Sequence, residues 1–244
     1  MDARPTTRPG QWNGWLGACR ATFAATGRGA GEPPSPSSAI AVTIAKLIDE
    51  LVACETPSTL VNPYRHHDSE FDVPNAPALR QANLLAYLAA RPKPRALLVG
   101  EAMGWRGGRF SGIAFTSERQ LAEWGAPFAA SSLHPGGWTE SSATIIHGVL
   151  DEFKLEREVV LWNTVPFHPH PTGKPLGNRA PKVGEIARGK PFLEQLVSLL
   201  QPAEVIAVGR IAESTLGDLV TGRVRHPANG GATLCRNGLR ALLG

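Results

Sequence analysis

The chain has 244 residues, of which 42% are hydrophobic, enough for one α/β domain with a sizeable core and too apolar for a disordered or fibrous protein. Its 25 basic residues outnumber 21 acidic ones, giving a net charge of +4, an excess too mild to single out a nucleic-acid partner by itself. Cys19, Cys54 and Cys235 are scattered and form no Cys-x-x-Cys pair, which argues against a zinc or iron–sulfur centre and against a disulfide framework.

No run of about 18 apolar residues is available to span a membrane, and no apolar stretch follows Arg4 and Arg8 as a secretory signal would require. A cytosolic chain without a membrane partner is therefore expected. Residues 1–38, ending in the Pro- and Ser-rich segment 32–38, predict a loosely packed N-terminal arm. One short helix around 15–25 could lie in it, and Trp12, Trp15 and Phe23 would hold the arm against the body. Residues 39–244 are expected to form a single domain.

In that domain Ser38 predicts the cap of a helix over 39–54, with Ile40, Ile44, Leu47, Ile48 and Leu51 on one face. Residues 56–74 read as an irregular polar loop. Asn75, with Pro77 in the first turn, predicts a helix reaching Ala90 before Pro92. The apolar run 96–99 then predicts a buried strand over 95–99 that gives way at Gly100 to a glycine-rich loop through Gly112, carrying Glu101, Trp105, Arg106, Arg109 and, beyond it, Phe115. Taken alone, this loop fits either an ordinary strand-to-helix connection or a phosphate loop.

Ser117 and Glu118 predict the start of the next helix, and 141–153 another. A second buried strand, 159–162, ends on Asn163 and leads into a Pro- and His-rich loop over 164–182. A helix over 184–200, a strand over 204–208 ending on Gly209, and a helix over 210–220 follow. Residues 222–225 predict a fourth strand, 226–231 a loop, and 232–243 a last helix. Strands alternating with helices predict an α/β fold, a three-layer α/β/α sandwich around a central, mainly parallel four-stranded sheet. The loops after Gly100, Asn163 and Arg225 then meet at one edge of it, where such sheets bind ligands. The segments 165–184 and 219–244 carry basic residues and no acid, a distribution that a phosphate backbone would find attractive.

Three stretches taken together resemble the uracil-DNA glycosylase superfamily: GEAMG at 100–104 with GIAFTS at 112–117, LWNTV at 161–165, and RHPAN at 225–229. Their order and spacing fit that superfamily, and the resemblance covers roughly residues 95–244. It implies an enzyme that flips uracil out of DNA and hydrolyses its N-glycosidic bond, leaving an abasic site, with no cofactor and no metal. Uracil-containing DNA is the implied partner, and the enzyme is expected to act as a monomer.

By the same resemblance, Gly100, Ala102, Phe115 and Asn163 form the uracil pocket. Phe115 is the stacking plate, and Asn163 is the amide that accepts from N3 and donates to O4. His226 is the catalytic histidine whose ring N–H faces O2. The family's best-known branch has an Asp at the place of Ala102, so Glu101 is the candidate for positioning water. Gly104 stands where that branch has a thymine-rejecting Tyr, leaving Trp105 as a substitute wall, and Asn229 or Gly230 replaces the usual intercalating Leu. Contacts to DNA are expected from Arg109, Lys174, Arg179, Arg225 and Asn229.

Two other readings stay open. His168 and His170 lie where one branch captures the sugar covalently, although the basic run preceding that branch's histidine is missing; the protein would then bind uracil-DNA tightly with little turnover. A small nucleotide- or acyl-handling enzyme using the glycine loop is the third. His168 and His170 have no carboxylate or cysteine nearby, which argues against a metal there.

Overall fold

A computed structural model describes residues 36–244; the expected N-terminal arm, its helix around 15–25 and Cys19 lie outside the described residues. The first helix, α1 (Pro36–Ala53), begins ahead of Ser38, so Ser38 falls in its first turn instead of capping it. α2 (Ala76–Ala89) follows Asn75 as expected, with proline in the first turn, where the missing N–H removes a donor that has no helical partner anyway.

Four strands form the central sheet: β2 (Ala96–Ala102), β3 (Val159–Val165), β5 (Glu204–Val208) and β6 (Gly222–Val224). They lie in the order β3-β2-β5-β6 and every pairing is parallel. Helices cover the sheet, so all seven residues of β3 are buried, which is why its sequence runs apolar without alternation. α6 (Val183–Leu200) packs on β3 and against α1, and α1 packs on α2. On α6, Gly189 lies against the backbone of Thr164 and Val165, an approach that a Cβ would block. The last helix, α8 (Ala232–Leu243), packs on β6 and on α5 (Ser141–Glu152).

Both sheet strands adjoining β2 come later in the chain, β3 on one side and β5 on the other. The chain therefore changes direction across the sheet at β2, and such a switch opens a crevice at the carboxyl ends of the strands. The ends of β2, β3, β5 and β6 all face that crevice.

Some elements depart from expectation. The polar loop over 56–74 contains β1 (Leu60–Val61), which pairs antiparallel with β4 (His168–Pro169) inside the long loop after β3. The glycine loop holds a single helical turn, α3 (Gly108–Ser111). Residues 210–220 form α7 (Arg210–Leu216) followed by a 3₁₀ turn (Gly217–Leu219).

Candidate active site

β2 runs past Gly100 to Ala102 and β3 past Asn163 to Val165, so both residues sit within strands and not at their ends. Parallel register sets Gly100 directly beside Asn163 and Ala102 beside Val165. The ring of Phe115 comes to the same place: a Cβ on Gly100 would overlap both the ring edge and Asn163 Oδ1. Only glycine leaves room for the three to meet.

Phe115 is buried and holds a left-handed φ of +49°, a conformation that costs a non-glycine residue of order 1–3 kcal/mol and persists only when its surroundings enforce it. Those surroundings are visible. Gly112 turns the chain with φ +78°. Ser111 Oγ donates to the Thr116 carbonyl at 2.6 Å and accepts from the Ile113 N–H at 3.1 Å. The hydroxyl of Tyr64 donates to the Gly112 carbonyl at 2.8 Å, and Asn83 Nδ2 to the Ser111 carbonyl at 2.9 Å. α4 (Glu118–Trp124) then starts at Ser117, whose N–H donates to Gln120 Oε1 at 3.0 Å.

Asn163 is 2% exposed, yet its Oδ1 has no hydrogen-bond partner. A buried acceptor left unmatched costs about 1–3 kcal/mol, so an orphan beside an aromatic plate marks a place where a ligand N–H would be welcome. His226 completes the group from the loop after β6, with its ring centroid 6.1 Å from that of Phe115. Its Nδ1 accepts from the Ala228 N–H at 3.1 Å, which assigns the ring proton to Nε2. Burial, and then the neighbouring charge of Arg225, hold its pKa below the usual range, so the ring is neutral and Nε2–H is a donor. Gly209, at φ +97°, lies against His226 Cβ and gives the loop its close approach.

Glu101 and His226 share a cavity of about 180 Å³ that Arg210, Arg225 and Asn229 also line. The Glu101 carboxylate is half-buried and makes no hydrogen bond or ion pair among the described residues; burial raises its pKa. Next to it, Ala102 contributes no polar group.

An aromatic plate, an orphan amide oxygen, a neutral imidazole donor and a free carboxylate thus converge at one sheet edge. Residues 89–237, more than half of the chain, match the family model described as the uracil DNA glycosylase superfamily. The chain belongs to that superfamily. Among solved structures it is similar to the crystal structure of wild-type Pedobacter heparinus SMUG2, with 14% identity and a TM-score of 0.57 over 83% of this chain and 97% of that one, a likeness of fold. No curated protein matches it.

Phe115 and Asn163 lie together beside Gly100, and Arg210 and Arg225 line the cavity. These two arginines are exposed and make no ion pair among the described residues. A second groove of about 320 Å³ runs past them, where Arg223 is paired with Glu213 at 2.6 Å. Asn229 is exposed at the mouth with φ +53°, and Lys174 is exposed on the long loop.

Two expected DNA contacts are corrected. Arg109 is 3% exposed and its guanidinium donates to Asp72 Oδ1 at 3.0 Å, so it cannot reach a phosphate. Asp72 is shared with the fully buried Arg80, which donates to both its oxygens at 3.1 Å. Desolvation pulls the Asp72 pKa upward, but the hydrogen bonds and charges of the two arginines win and hold it below the usual carboxylate range. Arg179 is likewise committed: it grips Glu185 through two bonds of 2.7 and 2.6 Å and donates to the Thr59 and His170 carbonyls. It fastens the start of α6 to the β1–β4 ladder.

The two loop histidines are structural as well. His168 is fully buried, with Nδ1 2.9 Å from the Met103 carbonyl and Nε2 3.1 Å from that of Pro175. Only a charged ring could donate to both, but burial lowers its pKa to about 4, so one contact goes without a proton. His170 stacks on it, with centroids 5.7 Å apart, and faces the Pro171 carbonyl. Both ring nitrogens of His168 are thus engaged, and His170 is buried with its Nδ1 turned to the Pro171 carbonyl. Among the described residues no cluster of three or more His, Cys, Asp or Glu could hold a metal ion.

Sequence reading passed over one acid. Glu140 precedes α5 and turns its carboxylate into the glycine loop, against Gly104 and Gly107. A glutamate before a Ser-Ser helix start looks like part of the helix cap, and no local pattern announces this long-range contact.

Proposed function

We propose that the chain is a uracil-DNA glycosylase that flips uracil from DNA and hydrolyses its N-glycosidic bond, leaving an abasic site. The observation that carries this reading is the orphan Oδ1 of Asn163, buried beside Gly100 and Phe115, whose ring centroid lies 6.1 Å from that of His226. Uracil lying on Phe115 would give its N3–H to Asn163 Oδ1 and accept the amide N–H at O4. Cytosine offers the opposite pattern, and a buried mismatch of this kind supports discrimination of roughly 10⁴-fold.

As the C1′–N1 bond breaks, its electrons pass into the base and charge gathers on O2. A neutral His226 with its proton on Nε2 is suited to meet that oxygen, and one such donor is typically worth about 10²–10³ in rate. The sugar cation is then attacked by water, whose oxygen bonds to C1′ while its proton passes to Glu101. Burial raises the Glu101 pKa and so makes the carboxylate a better proton acceptor. Arg225, Arg210, Asn229 and Lys174 would hold the phosphates on either side.

The reading is tested with a labelled oligonucleotide containing one uracil. Alkali-labile product accumulating over many turnovers supports it. Product capped at one equivalent of protein, or a heat-stable shifted band, would contradict it in favour of capture, a reading that the burial of His168 and His170 disfavours.

A further inference from the structure

Glu140 is held in its position from several sides. Its own carbonyl accepts from the Thr144 N–H at 3.0 Å to begin α5, but its carboxylate does not cap that helix. The segment leading to it is fixed by the buried Glu118, whose carboxylate accepts from the N–H groups of Ser131 and Ser132 at 2.8 Å and of Trp138 at 2.9 Å. Trp138 in turn packs edge-on against Trp105, with centroids 4.8 Å apart. From the long loop, Asn178 Oδ1 accepts from the Trp105 N–H at 2.9 Å and closes the other side of the turn.

The carboxylate therefore ends in a cradle. A Cβ on Gly104 would overlap its Oε1, and one on Gly107 its Oε2, so Glu140 fills the volume that side chains at both positions would take. No cation pairs with it among the described residues, and burial alone pushes its pKa up to about 7.

We infer that Glu140 is a specificity-determining residue of the base pocket, the wall that meets C5 of the flipped base and keeps out bases methylated there. This rests on the reading of the site given above. In a pyrimidine lying on Phe115, with Asn163 along N3 and O4 and His226 at O2, C5 lies across the ring from His226, and by the superfamily resemblance the first loop at Gly104 faces that edge. That loop offers no side chain at Gly104, and the space there is taken by Glu140. A methyl group in that space would collide with the carboxyl or displace it, and would strip it of remaining water without offering a hydrogen bond in return.

The test is single-turnover excision of uracil and of thymine, each opposite guanine in otherwise identical oligonucleotides. It is run on the unaltered protein and on Glu140→Ala, Glu140→Asp and Glu140→Gln. The Ala variant is expected to raise the thymine-to-uracil rate ratio by about 10-fold or more, the effect of methyl-sized room in a pocket. Asp is one methylene shorter and draws the carboxyl back, for a rise of about 3-fold, whereas Gln keeps the shape and stays within about 2-fold. A purely structural role would move both rates together and leave the ratio alone. An unchanged ratio in the Ala and Asp variants, with uracil still excised, overturns the inference, and the Asp variant decides it should the Ala variant fail to fold. If the unaltered protein excises no uracil, the base-pocket reading itself has failed and this inference falls with it.

Discussion

Arg80 on α2 and Arg109 in the turn after β2 are buried and share Asp72, whereas at the ends of β5 and β6, Arg210 and Arg225 are exposed and unpaired among the described residues. The first pair braces the loop in which Phe115 is forced to a positive φ, beside the free oxygen of Asn163 on β3. The second pair surrounds a cavity and leaves its charge available. A residue type that is basic in sequence is thus tied into the fold in one half of the site and left with its charge exposed in the other, and only the partner distinguishes them.

Breaking that distinction gives the largest effect. Asp72→Ala leaves two arginines buried without a counter-charge, and loss of a buried partner typically costs about 3–5 kcal/mol, measured as denaturant midpoint. The salt dependence of DNA binding should stay as it was. His226→Ala is expected to slow uracil excision by about 10²–10³-fold in single-turnover assays, with the fold intact by circular dichroism. Arg225→Ala inverts the outcome of Asp72→Ala: stability unchanged, and the slope of log K against log salt reduced by about 1. A slope that falls on Asp72→Ala but not on Arg225→Ala would erase the contrast between the halves.

The smallest effect concerns Glu140. Folding raises its carboxyl from 4.5 to about 7, so the folded state holds this proton more tightly than the unfolded one. Its stabilising influence is complete below pH 4.5 and is lost as pH rises through 7. Glu140→Gln has no such proton to lose. Its melting temperature relative to the unaltered protein should therefore gain about 2 °C or more between pH 5 and pH 8. A constant difference would mean that the carboxyl is solvated, not cradled.

Much of this was legible in the sequence because buried parallel strands announce themselves. Residues 96–99, 159–162 and 205–208 are apolar runs closed by Gly100, Asn163 and Gly209, and all three lie side by side in the sheet. Once their order is parallel, their ends share an edge; that Gly100, Phe115, Asn163 and His226 gather there was implied by the superfamily resemblance and not by the strand pattern. The β1–β4 ladder was hidden because two-residue strands carry no period. Arg109 and Arg179 read as phosphate ligands because a lone arginine says nothing of Asp72, 37 positions earlier in the chain, or of Glu185 across a helix start. Glu140 was missed for the same reason, since its neighbours Gly104 and Gly107 are defined by an absent Cβ.

The most direct measurement is the single-turnover rate of uracil excision by Asn163→Ala beside the unaltered protein, with binding to undamaged DNA as control. Loss of the amide should lower the rate by at least about 10²-fold and leave undamaged-DNA binding unchanged. A near-normal rate in Asn163→Ala would contradict the pocket built from Gly100, Phe115 and Asn163.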